Sequence, residues 1–327
     1  MHRLVLPLAL VAGLAMASPA LGQEACPPPP PAVVDITSNR FYTDKANSIV
    51  DQAAWDRRMA SVKPLEDFRR EVTRFSSRGL SGNKAWSQCA GRWIAHWAAG
   101  GALLGRMSEI QAHYERKWAL AAIAMAYLMA KPDVPEAERR QIEPWLDRVA
   151  TAVAADYPKR KAQPNNHYYW LGFALGASAT ATGNARHWAL ATETYAEAMT
   201  HIEQDGSLPR ETARAGMALH YHAFSIKPLV MLAELAARRG ENWYPRKDGA
   251  IHRLARLVLE NYADPKTMAT KANATQKPLA RGQLSWLPLY ARRFPERVPA
   301  GLAIGEGDIW DGMLGGNISA LARAWAR

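Results

Sequence analysis

Apolar residues recur every three to four positions over most of this chain, and strict apolar–polar alternation is rare. Trp86, Cys89, Trp93 and Trp97 form one such stripe within Trp86–Leu104. Trp118, Ala122, Met125 and Met129 form another within Arg116–Met129, and Ile142, Trp145, Leu146 and Val149 a third within Glu136–Ala155. Tyr168–Thr180, Trp188–Glu203, Ile226–Arg238 and Ile251–Tyr262 continue the series. A stripe with a period near 3.6 is one face of a helix, so the pattern predicts helices from Lys45 onward. An extended stretch, Val33–Tyr42, precedes them. The breaks are short and hold turn formers: Pro132-Asp133, Thr182-Gly183-Asn184, Asp205-Gly206 and Gly240-Glu241-Asn242. Helices so connected must bury their stripes against one another, which gives an all-α, helix-on-helix architecture. A solenoid or a toroid of alternating inner and outer helices would satisfy it. No fixed repeat of signature residues is present, which weighs against the solenoid.

One apolar run breaks the pattern. Leu4 to Ala17 is uninterrupted, follows Met1-His2-Arg3, and precedes the A-x-A-like Ala20-Leu21-Gly22. This is the layout of a secretory signal peptide over residues 1–22, with a core too short to span a bilayer. The mature chain, 23–327, reads as one domain with a Pro-rich, extended tail over 23–44, since no linker or composition shift divides it. No later run is long enough to insert in a membrane. Export changes the meaning of the charge. Cleavage removes only Arg3 from 41 Lys and Arg, against 30 Asp and Glu, and the basic excess would draw polyanions by long-range steering. For an exported protein an acidic polysaccharide or a membrane surface suits that charge better than nucleic acid. Export also bears on Cys26 and Cys89, the two cysteines present. An oxidising compartment predicts one disulfide joining the tail to the helical body. Closing a loop of about 60 residues is worth about 4 kcal/mol by chain entropy.

Two polar segments interrupt the apolar background. The first is Gln163-Pro164-Asn165-Asn166-His167-Tyr168-Tyr169-Trp170. A Pro followed by Asn suits a helix start, and one asparagine would serve as a cap. Capping leaves the second amide, the imidazole and the three aromatics unexplained. The second segment runs from Leu208 to His222 and crowds Arg210, Glu211, Thr212, Arg214, His220, Tyr221 and His222 around small residues. His220 and His222 would point about 160° apart on a helix, so they make a weak metal-ligand pair.

Together these segments resemble the family of periplasmic mannuronate-specific alginate lyases, the fifth polysaccharide lyase family. Its marks are Asn-Asn-His-x-Tyr-Trp and, downstream, an Arg followed by Ala-Leu-x-Tyr-His. Here they stand as Asn165 to Trp170, then Arg214 and Ala218-Leu219-His220-Tyr221-His222. Ser38-Asn39-Arg40-Phe41-Tyr42 leading to Asp44-Lys45-Ala46, Arg116-Lys117-Trp118-Ala119-Leu120, Pro228-Leu229 and Trp286-Leu287-Pro288-Leu289-Tyr290 extend the likeness over nearly the whole mature chain. The resemblance implies an α/α toroid, an incomplete (α/α)6-type barrel, with a long cleft open to a polymer. It implies a periplasmic enzyme that needs no cofactor or metal and cuts mannuronate-rich alginate endolytically by β-elimination. Contact with exopolysaccharide export machinery would fit that location. The functional residues it points to are Lys45, Asn166, His167, Arg214 and Tyr221, with Lys45, Asn166 and Arg214 as binders of the polymer.

Those side chains suit the reaction. A lyase removes the proton on C5 of a uronate and expels the oxygen on C4. The C5 proton is scarcely acidic beside an ionised carboxylate, so donors must neutralise that carboxylate and hold the enolate-like dianion. Asn166 offers an amide N–H and Arg214 a guanidinium fork. Tyr221 is the acid for the leaving oxygen. C5–H and O4 lie on one face of mannuronate, so Tyr221 could also be the base, although a free phenol with a pKa of about 10 needs nearby positive charge for that. His167 is either the base or a partner of the carboxylate, and at this point both remain open. For Tyr221 alone, a buried phenol bonded to the backbone is the structural alternative. Two other functions compete: a lyase for another acidic glycan, and a non-catalytic periplasmic exopolysaccharide-binding protein. A glycoside hydrolase is disfavoured, since no pair of carboxylates stands out near the motifs.

Overall fold

The computed structural model describes residues 26–302 and 305–326; residues 1–22, read above as a signal peptide, lie outside them. Helix α1 (Gln52–Leu80) begins where the Asp51 carboxylate accepts the Ala54 N–H at 2.9 Å, satisfying one orphan donor of the first turn. Helix α2 (Lys84–Ala99) lays its tryptophan stripe on α1: Trp97 stacks on Phe68 and Trp86 on Phe75, with centroids 3.4 and 5.0 Å apart. The same helix holds the tail. Cys26 and Cys89 form a disulfide, and the Trp93 and Trp97 indoles donate to the carbonyls of Pro27 and Pro30. A proline run offers carbonyls without N–H groups, so indole donors are its natural partners.

Helix α3 (Ile110–Ala130) is buried on nearly every side. Helix α4 (Glu136–Ala154) and the short α5 (Tyr157–Ala162) lead to α6 (Asn166–Thr182), which is apolar all round and also buried. A helix hydrophobic on every face belongs at the centre of a fold, and α6 packs against both α3 and α4. Helix α7 (Ala185–Thr200) follows, then α8 (Pro209–Thr212), a 3₁₀ turn over residues 215–217, and α9 (Ala218–Arg238). The rest is α10 (Arg246–Ala263), α11 (Lys266–Ala272), α12 (Leu287–Arg293), a two-residue antiparallel hairpin of β1 (Trp310–Asp311) and β2 (Gly316–Asn317), and α13 (Ile318–Ala324).

The packing pairs separate these helices into two rings. Contacts run α1–α3–α6–α9 and return through α12 and α13 to α1, while α2, α4, α7 and α10 form an outer layer. This is an all-α toroid. Its buried side chains join into one cluster that includes Trp97, Trp145, Trp170, Trp243 and Trp286. The tryptophans are therefore mostly core; among the described residues Trp55 and Trp325 are half-buried and Trp310 is 49% exposed. No described helix is long and apolar enough to cross a membrane.

Several boundaries differ from the periodicity. Helix α2 stops at Ala99 rather than Leu104. Helix α9 starts at Ala218, well before Ile226, and so carries His220, Tyr221 and His222. At the start of α10, Lys247, Asp248 and Gly249 have φ of 52°, 54° and 66°, a left-handed turn that precedes the regular helix. Lys45 is in a loop, and helix begins only at Gln52. Asp44 explains this: its carboxylate accepts N–H groups from Ser48 and Ile49 at 2.8 and 2.9 Å and the Ser48 hydroxyl at 2.8 Å. Such side-chain-to-backbone bonding competes with helix, and chiefly the Ile49 bond lowers the Asp44 pKa to about 2.

Candidate active site

The four inner helices bring their N-terminal turns to one end of the toroid. Arg58 of α1 pairs with the buried Glu115 of α3 at 2.8 Å, Lys117 of α3 reaches His167 of α6, and Trp170 of α6 donates to the Phe224 carbonyl of α9 at 3.1 Å. Tyr221 of α9 donates at 2.8 Å to the hydroxyl of Tyr42, just before the Asp44 loop. Aligned N-termini concentrate positive dipole ends, a setting that favours anions.

The motif at the head of α6 divides its labour. Asn165 is the cap, its side-chain oxygen accepting the His167 N–H at 2.9 Å. Asn166 is buried and faces Glu211 of α8: its backbone N–H and amide donate to Oε1 at 2.6 and 3.0 Å, and the amide also lies 3.2 Å from Oε2. The amide hydrogen expected to meet a ligand is thus turned onto an internal carboxylate. Oδ1 of Asn166 is left buried with no partner among the described residues. The aromatics serve the core. Tyr168 bonds Tyr157 and Glu197, Tyr169 lies 3.2 Å from Nδ1 of His201, and Trp170 is the anchor to α9.

His167 is half-buried beneath a ring. Tyr114 stacks on it at 3.6 Å with planes 16° apart. Nζ of Lys117 sits 3.3 Å from its Nδ1 and 3.1 Å from its carbonyl oxygen. Burial, and then the charges of Lys117, Arg160 and Arg214, hold the imidazole pKa well below its ordinary value, so the ring is neutral at physiological pH.

Arg214 links the groups. Its Nε lies 3.5 Å from Oε2 of Glu211, its Nη1 donates to the Ala46 carbonyl at 3.4 Å, and its guanidinium lies 4.6 Å from the centre of the Tyr221 ring. The Tyr221 phenol is pushed up chiefly by burial and next by Tyr42, with Arg214 pulling the other way. Glu211 is wholly buried; desolvation raises its pKa, and Arg214 and the Asn166 donors oppose the rise.

The structure therefore gathers Asn166, His167, Arg214 and Tyr221 into one set. Lys45 is exposed on the adjoining loop, beside the Ala46 carbonyl that Arg214 holds. His222 does not belong to the set: its Nδ1–H donates to Ala218 O at 2.7 Å and its Nε2 accepts the Leu208 N–H at 2.9 Å. Both ring nitrogens are spent, so it is no metal ligand, and among the described residues no cluster of three or more His, Cys, Asp or Glu is placed to hold a metal ion. Sequence reasoning missed Glu211, Lys117, Tyr114 and Tyr42. Glu211 stands three positions before Arg214 within a segment already singled out, and Lys117 within Arg116 to Leu120, so both were in view without an assigned role. A surface cavity of about 700 Å³ lined by His252, Arg253, Arg256 and Arg297 shares no residue with the set.

The fold has counterparts among known proteins. The alginate lyase family model matches residues 35–268. A polysaccharide lyase of Stenotrophomonas maltophilia is 37% identical over 97% of this chain and 96% of its own length. Alginate lyases of Azotobacter vinelandii and Pseudomonas aeruginosa are 31% and 30% identical over 81% and 77% of this chain, and 75% and 71% of theirs. Among solved structures, a histidine-to-alanine variant of alginate lyase A1-III complexed with tetrasaccharide superposes with a TM-score of 0.80 at 25% identity, covering 92% of this chain and 85% of that one. Alginate lyase A1-III from Sphingomonas species A1 gives 0.76 at 25% identity, over 92% and 88%. The chain belongs to the alginate lyase family, polysaccharide lyase family 5, and its activity is the lysis of alginate.

Proposed function

We propose that this alginate lyase cuts polymannuronate endolytically, by β-elimination, in the periplasm. The observation that carries the reading is the placement of Arg214, which touches Glu211 and the Tyr221 ring while its charge reaches His167. One guanidinium thereby lies within reach of a uronate carboxylate and of the phenol that would handle its protons. Arg214 and His167 take the C5 carboxylate, and Asn166, bound to Glu211, helps hold that carboxylate beside Arg214. Tyr221 as phenolate takes the C5 proton. The C4–O4 bond then breaks as the C4=C5 double bond forms, and Tyr221 returns the proton to O4. Mannuronate suits this because C5–H and O4 share a face; guluronate sets them on opposite faces. Burial keeps the phenolate a minority form, and Arg214 over the ring is the cation that favours it.

The leader-like residues 1–22 support the periplasmic location, and the Cys26–Cys89 disulfide is at home in an oxidising compartment. Polymer arriving there from export machinery would meet a basic protein. The test is ultraviolet detection of unsaturated uronate ends. Polymannuronate without added metal should give mixed oligosaccharides early in the reaction, and polyguluronate far less product. Equal rates on the two polymers, faster cleavage of another acidic glycan, or loss of activity with a chelator would overturn the proposal.

A further inference from the structure

Lys117 has no carboxylate in direct contact with its amino group. It is 3% exposed, it forms no ion pair with a described residue, and its Nζ lies 4.6 Å from the Tyr114 ring centre and 5.6 Å from that of Trp118. Its hydrogen-bond partners both belong to His167: Nδ1 at 3.3 Å and the main-chain oxygen at 3.1 Å. Burying a lysine is costly unless its donors are used, and here two of the three are used on one residue. Tyr114, Lys117 and Trp118 are three and four positions apart on α3, so a single helix face presents the stacking ring, the ammonium and a second aromatic wall to one imidazole.

We propose that Lys117 is a positioning residue of the active site, whose ammonium donates to Nδ1 of His167 and thereby fixes the imidazole proton on Nε2. An ammonium has three donors and no acceptor, so a hydrogen on Nδ1 would meet it donor to donor. A doubly protonated ring would set a second cation against a buried one. The neutral tautomer with Nε2–H satisfies both groups. Nε2 has no partner among the described residues and is not among the sealed-off polar atoms, so it is the nitrogen left to meet a ligand. It presents an N–H, as a carboxylate requires, and no lone pair. The grip on the main-chain oxygen fixes where the side chain starts, and the Tyr114 stack fixes the plane of the ring. Burial pulls the Lys117 pKa well below its ordinary value and the Arg160 charge adds to that, while Asp156 and Glu115 act to keep the ammonium.

The inference rests on the reading of His167 as a carboxylate partner, yet its test needs neither substrate nor turnover. Mature protein carrying ¹⁵N-histidine is observed by nuclear magnetic resonance near neutral pH, the His167 nitrogens being identified by their absence in His167→Gln. A neutral ring with its proton on Nε2 is expected in the wild type and in Lys117→Arg, which keeps the donor. Lys117→Met, checked for folding by circular dichroism, should lose the preference or reverse it, and its kcat should fall by about a hundredfold, as expected when a reacting group is misplaced. A wild-type ring protonated on Nδ1, or nitrogen shifts unchanged in Lys117→Met, would overturn the proposal. If Lys117→Met does not fold, the wild-type tautomer and its retention in Lys117→Arg decide alone. Failure to cleave polymannuronate would remove the proposed function and leave the tautomer result standing.

Discussion

His167 and His222 each sit in the opening turns of an inner helix, and burial lowers the pKa of both. They differ in how their nitrogens are used. His222 gives Nδ1–H to Ala218 O and takes the Leu208 N–H at Nε2, so the main chain consumes the whole ring. His167 gives only Nδ1 to the protein, to a charged side chain, and leaves Nε2 open. A saturated imidazole is structure; one with a hydrogen-bonding position to spare is available for chemistry.

The largest effects should fall on the side of the comparison that is open. Tyr221→Phe removes one hydroxyl and its bond to Tyr42, so turnover should drop at least about a hundredfold while circular dichroism and polymer affinity stay near wild type. His167→Ala should be similarly crippled. The pH profile then tells apart the two roles of His167. With Tyr221 as base from a mostly protonated phenol, kcat/KM should rise with pH through neutrality, by up to about tenfold per unit, and the residual activity of His167→Ala should rise likewise. A wild-type profile flat through neutrality would instead suit a base already deprotonated there, which means His167. A Tyr221→Phe enzyme of normal turnover would break the comparison altogether.

How far these roles were legible differs with the distance of the partner. The inner and outer helices could be read from their stripes because burial imposes the 3.6 period locally. The motif at Asn165 to Trp170 could be read because a helix start and its cap are also local. Glu211 and Lys117 could not. Their partners lie on other helices, Asn166 and His167 respectively, and a charge in a helical run looks like part of a solvated face until the fold closes around it. Lys117 shows the limit best: it follows Arg116 in an otherwise apolar run, and both are buried. The start of α9 was missed because Ala218 to His222 mixes small and polar residues, whereas the toroid wraps that turn in Gln276, whose Oε1 accepts the Leu219 N–H at 2.9 Å.

His222→Ala tests the closed side. It should leave the Leu208 N–H unsatisfied in a small cavity and cost about 3 kcal/mol by denaturant titration, with kcat per folded molecule retained. The pH dependence of stability follows from sign. The folded pKa of His222, about 4, lies below the unfolded value of about 6.5. The unfolded state therefore binds more protons, and stability present above pH 6.5 is lost as pH falls from there towards 4. His220 and His252 are also held to about 4 by burial, so His222→Ala should flatten that loss and not abolish it. A variant stable but inactive would place His222 with His167 and erase the distinction.

The smallest effect belongs to Lys45. Its ammonium is exposed, and the loop beneath it is shaped by Asp44 and by the Arg214 bond to the Ala46 carbonyl, neither of which needs the lysine side chain. Lys45→Ala should therefore leave stability and kcat unchanged and raise KM for polymannuronate by about two- to fourfold, the scale of an exposed ion pair worth 1 kcal/mol or less. Salt gives the decisive arm. Exposed charges are screened over about 8 Å at 0.15 M ionic strength, so the gap in KM between wild type and Lys45→Ala should narrow as salt is raised. The kcat deficit of Tyr221→Phe should not respond to salt, because it reflects a missing proton carrier and not an attraction. If Lys45→Ala lowers kcat as steeply as Tyr221→Phe, the loop contributes to the reacting groups themselves, and the boundary between binding and chemistry has to move outward to include it.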